Sequence, residues 1–211
     1  MFHIDAIHRQ AFADAQRWEL REQAVAKNFI LTISKDYPES YWLKMKMPSG
    51  GDRAIFKRGL VLKEKMELFF EAPKKASLSR LLGYDFFFSD GPNLISPRLY
   101  KLMGSEGISG VQFLDASLIS GEQSFVGYKV FNVVSVSRAM DLESSVSEPL
   151  ISTMPNGPRW FRKVVLDDKL ELSSDIVRAE EEMANIVVKE RVKMIFERHS
   201  VRGLRFESSQ I

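Results

Sequence analysis

ISPRLYKLMGSEGISGVQF, residues 95–113, and VKERVKMIFERHSVRGLRF, residues 188–206, align without a gap at an offset of 93. Arg98 falls on Arg191, Gly110 on Gly203 and Phe113 on Phe206. Apolar side chains coincide at Ile95/Val188, Leu99/Val192, Leu102/Ile195, Met103/Phe196, Ile108/Val201 and Val111/Leu204. The shared pattern is architectural: a helix, a glycine turn and a strand, built twice. Ser96 is a good helix N-cap, and Pro97 takes the first helical position, where its missing N–H does no harm. Leu99, Leu102 and Met103 then share one face by i, i+3, i+4 spacing. Gly104 and Gly107 end that helix. Gly110 and Gly203 both supply a positive φ between helix and strand. In the second copy Val192, Ile195 and Phe196 turn inward, Lys189-Glu190 replaces the serine cap, and His199 lies at the helix C-terminus, where the dipole favours a cation. Arg98 and Arg191 precede inward residues, which places them at the rim of the core as salt-bridge or helix-flank charges; paired partner contact is the alternative.

Between the copies, GVQFLDASLI and GYKVFNVVSV flank the turn SGEQS and read as an antiparallel hairpin. DLESSVSEPLISTMPNGPRWF is Ser-rich and loop-like, with a Pro-Asn-Gly-Pro turn. RKVVLDD is a short strand, and DIVRAEEEMANIVV begins a helix, or a helix followed by a strand. Upstream, Phe2 to Ile7 forms a short strand. Residues 8–27 have a helical composition, although Trp18 and Leu20 also suit a strand. NFILTIS and YWLKMKM alternate as strands, the latter closed by the turn cluster PSGGD with Lys44 and Lys46 on its wet side. Residues 53–72 fit several periods. APKKASLSRLLGYD is a loop with one or two helical turns, Phe86–Phe88 is a core strand, and ESSQI is a polar tail. The sum is an α+β fold: a mixed or mainly antiparallel sheet with a few packed helices. Residues 1–83 form an N-terminal α+β part of the same compact unit, and 84–211 form the second part.

The 211 residues are 45% hydrophobic and 27% charged, the balance of a soluble globular protein able to bury its own core. With no cysteine, disulfides and thiolate metal sites are excluded. No apolar run is long enough to span a membrane, and the first residues lack a signal-peptide pattern, so the expected place is the cytoplasm. A net charge of +2 argues against nucleic acid or an acidic membrane as partner. The charge is uneven, +5 over residues 1–101 and −3 over 102–211. The most acidic stretch, DDKLELSSDIVRAEEE at 167–182, is either a solvated face or an anionic docking surface.

Local signatures of catalysis are missing. His3-x-Asp5 offers two metal ligands where zinc needs three or four. There is no G-x-S-x-G, no H-E-x-x-H, and PSGGDR lacks the Lys-[Ser/Thr] of a phosphate loop. Asp167 and Asp168 are adjacent and point to opposite faces of a strand, and Glu180, Glu181 and Glu182 share a helical face only in part. The sequence therefore yields no catalytic, cofactor-binding or metal-ligating residue.

LISPRLYKLM, GVQFLDASL, GYKVFNVVSVSRAMDLESS, RKVVLD and VVKERVKMIFERHSVRGLRF, in that order over residues 84–206, resemble the eleventh immunity-protein family of bacterial polymorphic toxin systems. RWEL at 17–20 is similar to that family's early Trp-containing segment. The resemblance implies a non-enzymatic protein that binds a cognate toxin domain and blocks it. Such inhibition needs about 800 Å² per partner with aromatic and Arg anchors at the centre. Arg159, Trp160 and Phe161 beside the PNGP turn are the first candidates, with Trp160 as a core residue at a strand start the competing reading. Asp167, Asp168, Glu171, Asp175, Glu180 and Glu181 are the second. An enzyme of unidentified class or a stand-alone interaction scaffold is the alternative function.

Overall fold

The computed structural model describes residues 28–47, 52–63, 66–154, 159–167 and 169–210. The expectations for residues 1–27, with His3, Asp5, His8 and RWEL, lie outside these residues, as do Asp168, the PNGP turn and most of PSGGD. The fold is α+β, with helices few and short beside mixed and antiparallel sheets.

The repeat is structural. In the first copy β5 (Asn93–Ile95) leads into α2 (Pro97–Ser105) and then β6 (Val111–Ser120). In the second, β12 (Ile186–Lys189) leads into α3 (Glu190–Arg198) and β13 (Leu204–Glu207). The two helices begin and end at matching positions. Ser96 caps α2, its Oγ accepting from the Leu99 N–H at 3.1 Å. Lys189 makes no side-chain cap bond, and Glu190 in the first turn meets the helix dipole instead. Gly107 has φ +61° where the second copy has Ser200 at +50°, the one non-glycine with positive φ among the described residues.

Each unit is larger than the aligned stretch. β4 (Phe86–Phe87) pairs antiparallel with β5, setting Phe86 opposite Ile95. β11 (Ile176–Ala179) pairs in the same way with β12, setting Ile176 opposite Val188. In the first unit β7 (Gln123–Val133) lies between β5 and β6, where Phe131 faces Asn93 and Phe113. In the second unit that place is taken by β1 (Asn28–Ile33), where Leu31 faces Ile186 and Phe206. A strand from the other end of the chain thus does for one unit what β7 does for the other.

The units meet through bonds that repeat with their roles exchanged. The Ile176 N–H donates to the Ser109 carbonyl at 3.2 Å, and the Phe86 N–H donates to the Arg202 carbonyl at 3.1 Å. Asp175 accepts from the Ser109 N–H at 3.0 Å, and Asp85 accepts from the Arg202 N–H at 3.1 Å. Arg98 pairs with Asp85 and donates to the His199 carbonyl at 3.1 Å, while Arg191 pairs with Asp175 and donates to the Glu106 carbonyl. A Cβ on Gly110 would stand 1.9 Å from the Ile176 oxygen, and one on Gly203 would stand 2.2 Å from the Phe86 oxygen. This is a pseudo-two-fold arrangement, and it gives the matched glycines a second reason besides their φ of +96° and +106°. The matched arginines are inter-unit struts. Between the units lies a shared core in which Leu99, Met103 and Phe131 of the first unit meet Val192, Phe196 and Leu31 of the second. Burial of each such side chain contributes roughly 1.5–3 kcal/mol.

The outward faces are covered differently. β2 (Lys44–Lys46) and β3 (Leu68–Glu71) extend the first sheet to the order β2-β3-β6-β7-β5-β4. A parallel bridge between Leu43 and Ser89 joins its two edges, so the sheet closes around Met45, Phe70, Leu114, Val130 and Phe87. A short α1 (Leu78–Leu81) adds Leu81, and a 3-10 turn at Arg53–Lys57 inserts Phe56. The chain after that turn is sewn down by side chains. The Gln112 amide bonds both the N–H and the C=O of Leu62, Asn132 donates to the Leu60 carbonyl, and Arg178 donates to the Phe56 carbonyl at 2.8 Å.

The second sheet runs β13-β1-β12-β11-β8, with β8 (Val136–Ser137) parallel to β11. Its outer face carries Ile30, Val177 and Val187. A three-stranded sheet covers it, in the order β14-β10-β9, formed by β9 (Val146–Pro149), β10 (Arg159–Val165) and β14 (Ser209–Gln210). Two expectations are corrected here. DIVRAEEEMANIVV holds no helix: Ile176–Ala179 and Ile186–Val188 are buried strand residues rich in β-branched side chains, and the glutamates fall in the turn between them. The Ser-rich stretch 141–161 is not all loop, since it contains β9 and the start of β10.

Candidate partner-binding surface

The β9–β10 hairpin opens on a turn tied by Asp141, whose carboxylate accepts from the Ser144 Oγ and from the N–H groups of Ser144 and Glu143. Those bonds hold its carboxyl below the usual range. Along the hairpin Trp160 stands opposite Glu148 and Phe161 opposite Ser147, but the next pair is Lys163 with Val146. Arg162 is the extra residue of a β-bulge. The bulge explains a pattern that strict alternation does not: Phe161 and Val164, three apart, both turn into the third core, while Trp160 and Arg162 both face out. Phe161 is 8% exposed and Trp160 48%.

Trp160 is held in place. The Arg162 guanidinium lies 5.5 Å from the centre of the indole ring and also bonds the Glu148 carboxylate at 3.0 Å. Arg159, the preceding residue, reaches across to Ser147, its Nε to the Oγ at 2.8 Å and its Nη2 to the carbonyl at 3.1 Å. Two arginines of β10 therefore cross to β9, and Arg162 is the one that lies on the indole. Of the fourteen exposed large hydrophobic residues among those described, six fall within 142–160: Leu142, Val146, Leu150, Ile151, Met154 and Trp160. Among the described residues no stretch of this length elsewhere in the chain comes near that density, and apolar exposure of this kind marks interaction sites.

The chain matches the family model of the immunity protein family Imm11 over residues 6–210. It belongs to that family. No curated protein matches it. The match of this Imm11 chain reaches well beyond the 84–206 stretch that carried the resemblance in sequence, and it takes in β1.

The remaining candidates separate. Phe161 faces the third core, as alternation with the outward Trp160 requires. The described acids of 167–182 that are engaged lie at separate places. Asp175 is engaged by Ser109 and Arg191 at the junction of the units, and Glu181 accepts from the N–H groups of Ala139 and Met140 at 3.2 and 3.3 Å. Burial alone would raise the Asp175 carboxyl, but the Ser109 and Arg191 bonds outweigh it and hold the group low. In Glu182 burial wins over the bond from Asn185 and raises the carboxyl. Asp167 accepts from the Lys169 N–H, while Glu171 and Glu180 stay exposed.

Sequence reasoning missed Arg178, 5% exposed in β11, whose guanidinium donates to the carbonyls of Phe56 and Met183 and is pushed down to about 10 by burial. An arginine inside an otherwise apolar, β-branched run was the available signal. It acts as a strut between the second unit and the cover of the first. A cleft of about 360 Å³ beside β3 and β6 carries Glu67 and Asp115, but Asp115 is paired with Lys129 at 2.6 Å and nothing else titratable converges there. Among the described residues no group of three His, Asp or Glu is placed to hold a metal, and no helix is long and apolar enough to cross a membrane.

Proposed function

We propose that this immunity protein binds a toxin domain in the cytoplasm and blocks it stoichiometrically, with the outer face of the β9–β10 hairpin as the contact surface. The carrying observation is the half-exposed Trp160, with the Arg162 guanidinium on its ring, after a stretch from Leu142 to Met154 that leaves five apolar side chains exposed. Tryptophan and arginine are the residues that most often anchor interfaces, and an anchor already fixed in place loses little entropy on binding. Arg159 and Trp160 are the anchors, and Phe161 supports them from below. Glu171 and Glu180 are the acids left to meet a basic partner. Among the described residues no converging titratable groups support the enzyme reading.

Co-expression with the toxin domain encoded beside this chain tests the proposal. The expected result is a co-purifying complex and restored growth, both lost in Trp160→Ala. A toxin domain that neither co-purifies nor is restrained would remove the immunity reading, and a complex unaffected by Trp160→Ala would move the contact face elsewhere.

A further inference from the structure

Arg162 makes a more specific assignment possible, and it rests on the toxin-binding reading of this surface. Among the described residues its Nη2 bonds both Glu148 oxygens at 3.0 and 3.1 Å, whereas its Nε and Nη1 have no protein partner. Its guanidinium lies 5.5 Å from the centre of the Trp160 ring, and Trp160 stays 48% exposed. A guanidinium carries five N–H donors in a planar fork, so a group with only one nitrogen used can still take a carboxylate in line with the ring. Arg162 follows Trp160 by two positions on β10, so ordinary strand alternation sets both on the outward face, where Arg162 reaches the Glu148 that stands opposite Trp160.

We propose that Arg162 is the positioning residue of the contact surface. Held by Glu148, it fixes the Trp160 indole as a preset wedge and selects a partner whose surface is an apolar slot with a carboxylate at its mouth. The slot takes the exposed part of the indole, and the carboxylate takes a free N–H of Arg162, at Nη1 or at Nε. Positioning predicts an effect on Trp160 in the free protein as well as on binding, which direct contact alone does not.

The test uses the full chain and two readouts. In a Trp18→Phe, Trp42→Phe background, Trp160 is the sole tryptophan. Arg162→Ala should then lower its fluorescence anisotropy, and Arg162→Lys should restore most of it. In titration with the neighbouring toxin domain, Arg162→Ala should weaken binding about five- to tenfold, the scale of one side chain ordered on association. The swap Glu148→Arg with Arg162→Glu keeps a cross-strand ion pair but removes the cation from the ring position, and it should weaken binding at least as much. If Trp160→Ala abolishes binding while Arg162→Ala changes neither readout, Arg162 has no positioning role and the surface reading stands. Weakened binding with unchanged anisotropy would make Arg162 a contact only. Binding untouched by Trp160→Ala would overturn the surface reading and this assignment with it.

Discussion

The first unit closes its outer face over an aromatic core, with Tyr37, Tyr41, Phe56, Phe70, Tyr84, Phe87 and Tyr128 all buried there. The second covers the same face with a three-stranded sheet, and the core beneath is aliphatic apart from Phe161. The inter-unit contacts, by comparison, repeat in their main strand, carboxylate and arginine bonds. The shared junction is therefore the part both copies keep, and the covers are where they diverged. The cover that leaves apolar groups outside, β9 with β10, is the one with fewer large side chains beneath it. Binding surfaces are drawn from such less self-satisfied regions, because what a partner is to bury must first be left exposed.

The largest test of this comparison is at the glycines. Gly110→Ala and Gly203→Ala each drive a methyl into a carbonyl of the other unit at positive φ, and each should lower stability by about 3 kcal/mol or more in urea unfolding. Similar losses at both positions are the point; a tolerated alanine at one would break the equivalence. Next come the buried carboxylates. Asp85→Ala and Asp175→Ala each strand an arginine and an N–H of the opposite unit, at about 2–3 kcal/mol apiece. Because Asp175 is held low when folded, its contribution is present above the unfolded value of about 3.9 and fades as pH falls through the lower folded value. Asp175→Asn should therefore flatten the acid limb of the stability–pH curve below about pH 4.

A gain of function in the fold is also expected. Ser200→Gly gives the second unit the residue the first already has at that left-handed position, and should raise stability by about 1 kcal/mol. Calorimetry should show this as a Tm increase of about 2–4 °C, and Gly107→Ser should cost a similar amount. The smallest effect belongs to the covers: Trp160→Ala should change stability by less than about 0.5 kcal/mol. A loss several times larger would show that the tryptophan holds the hairpin up, contrary to its exposure.

What could be read in the sequence was what local chemistry decides. Ser96 and Pro97 announce α2, and Gly110 and Gly203 announce turns, whatever surrounds them. The alignment failed where geometry is non-local. Asp85 and Asp175 play one role, yet the hairpins β4–β5 and β11–β12 differ in length, so a fixed offset sets Asp85 against Arg178 instead. DIVRAEEE reads as helix because its glutamates suit one; burial of Ile176–Ala179 on both faces, which composition does not report, makes that run a strand and leaves the glutamates in the turn. The candidate surface was legible as far as Arg159 and Trp160. That Phe161 and Val164, three apart, share the inner face depends on the single bulged residue Arg162, and no pattern in RWFRKVV reveals a bulge before the opposite strand is known.

β1 carries a further consequence, for the order of assembly. The strands of the first unit follow one another from β2 to β7, so that unit can form while the rest of the chain is still being made. The second cannot: its central strand is among the earliest made, and its partners β12 and β13 are among the last. Pairings this distant in sequence form late, after the entropic cost of closing a long loop. During synthesis β1 must wait with Ile30 and Leu31 unpaired, a period in which the nascent chain is open to capture by chaperones or to aggregation. Pulse-labelling hydrogen exchange should find the β6–β7 amides protected before those of β1, and simultaneous protection would show that the two units fold as one.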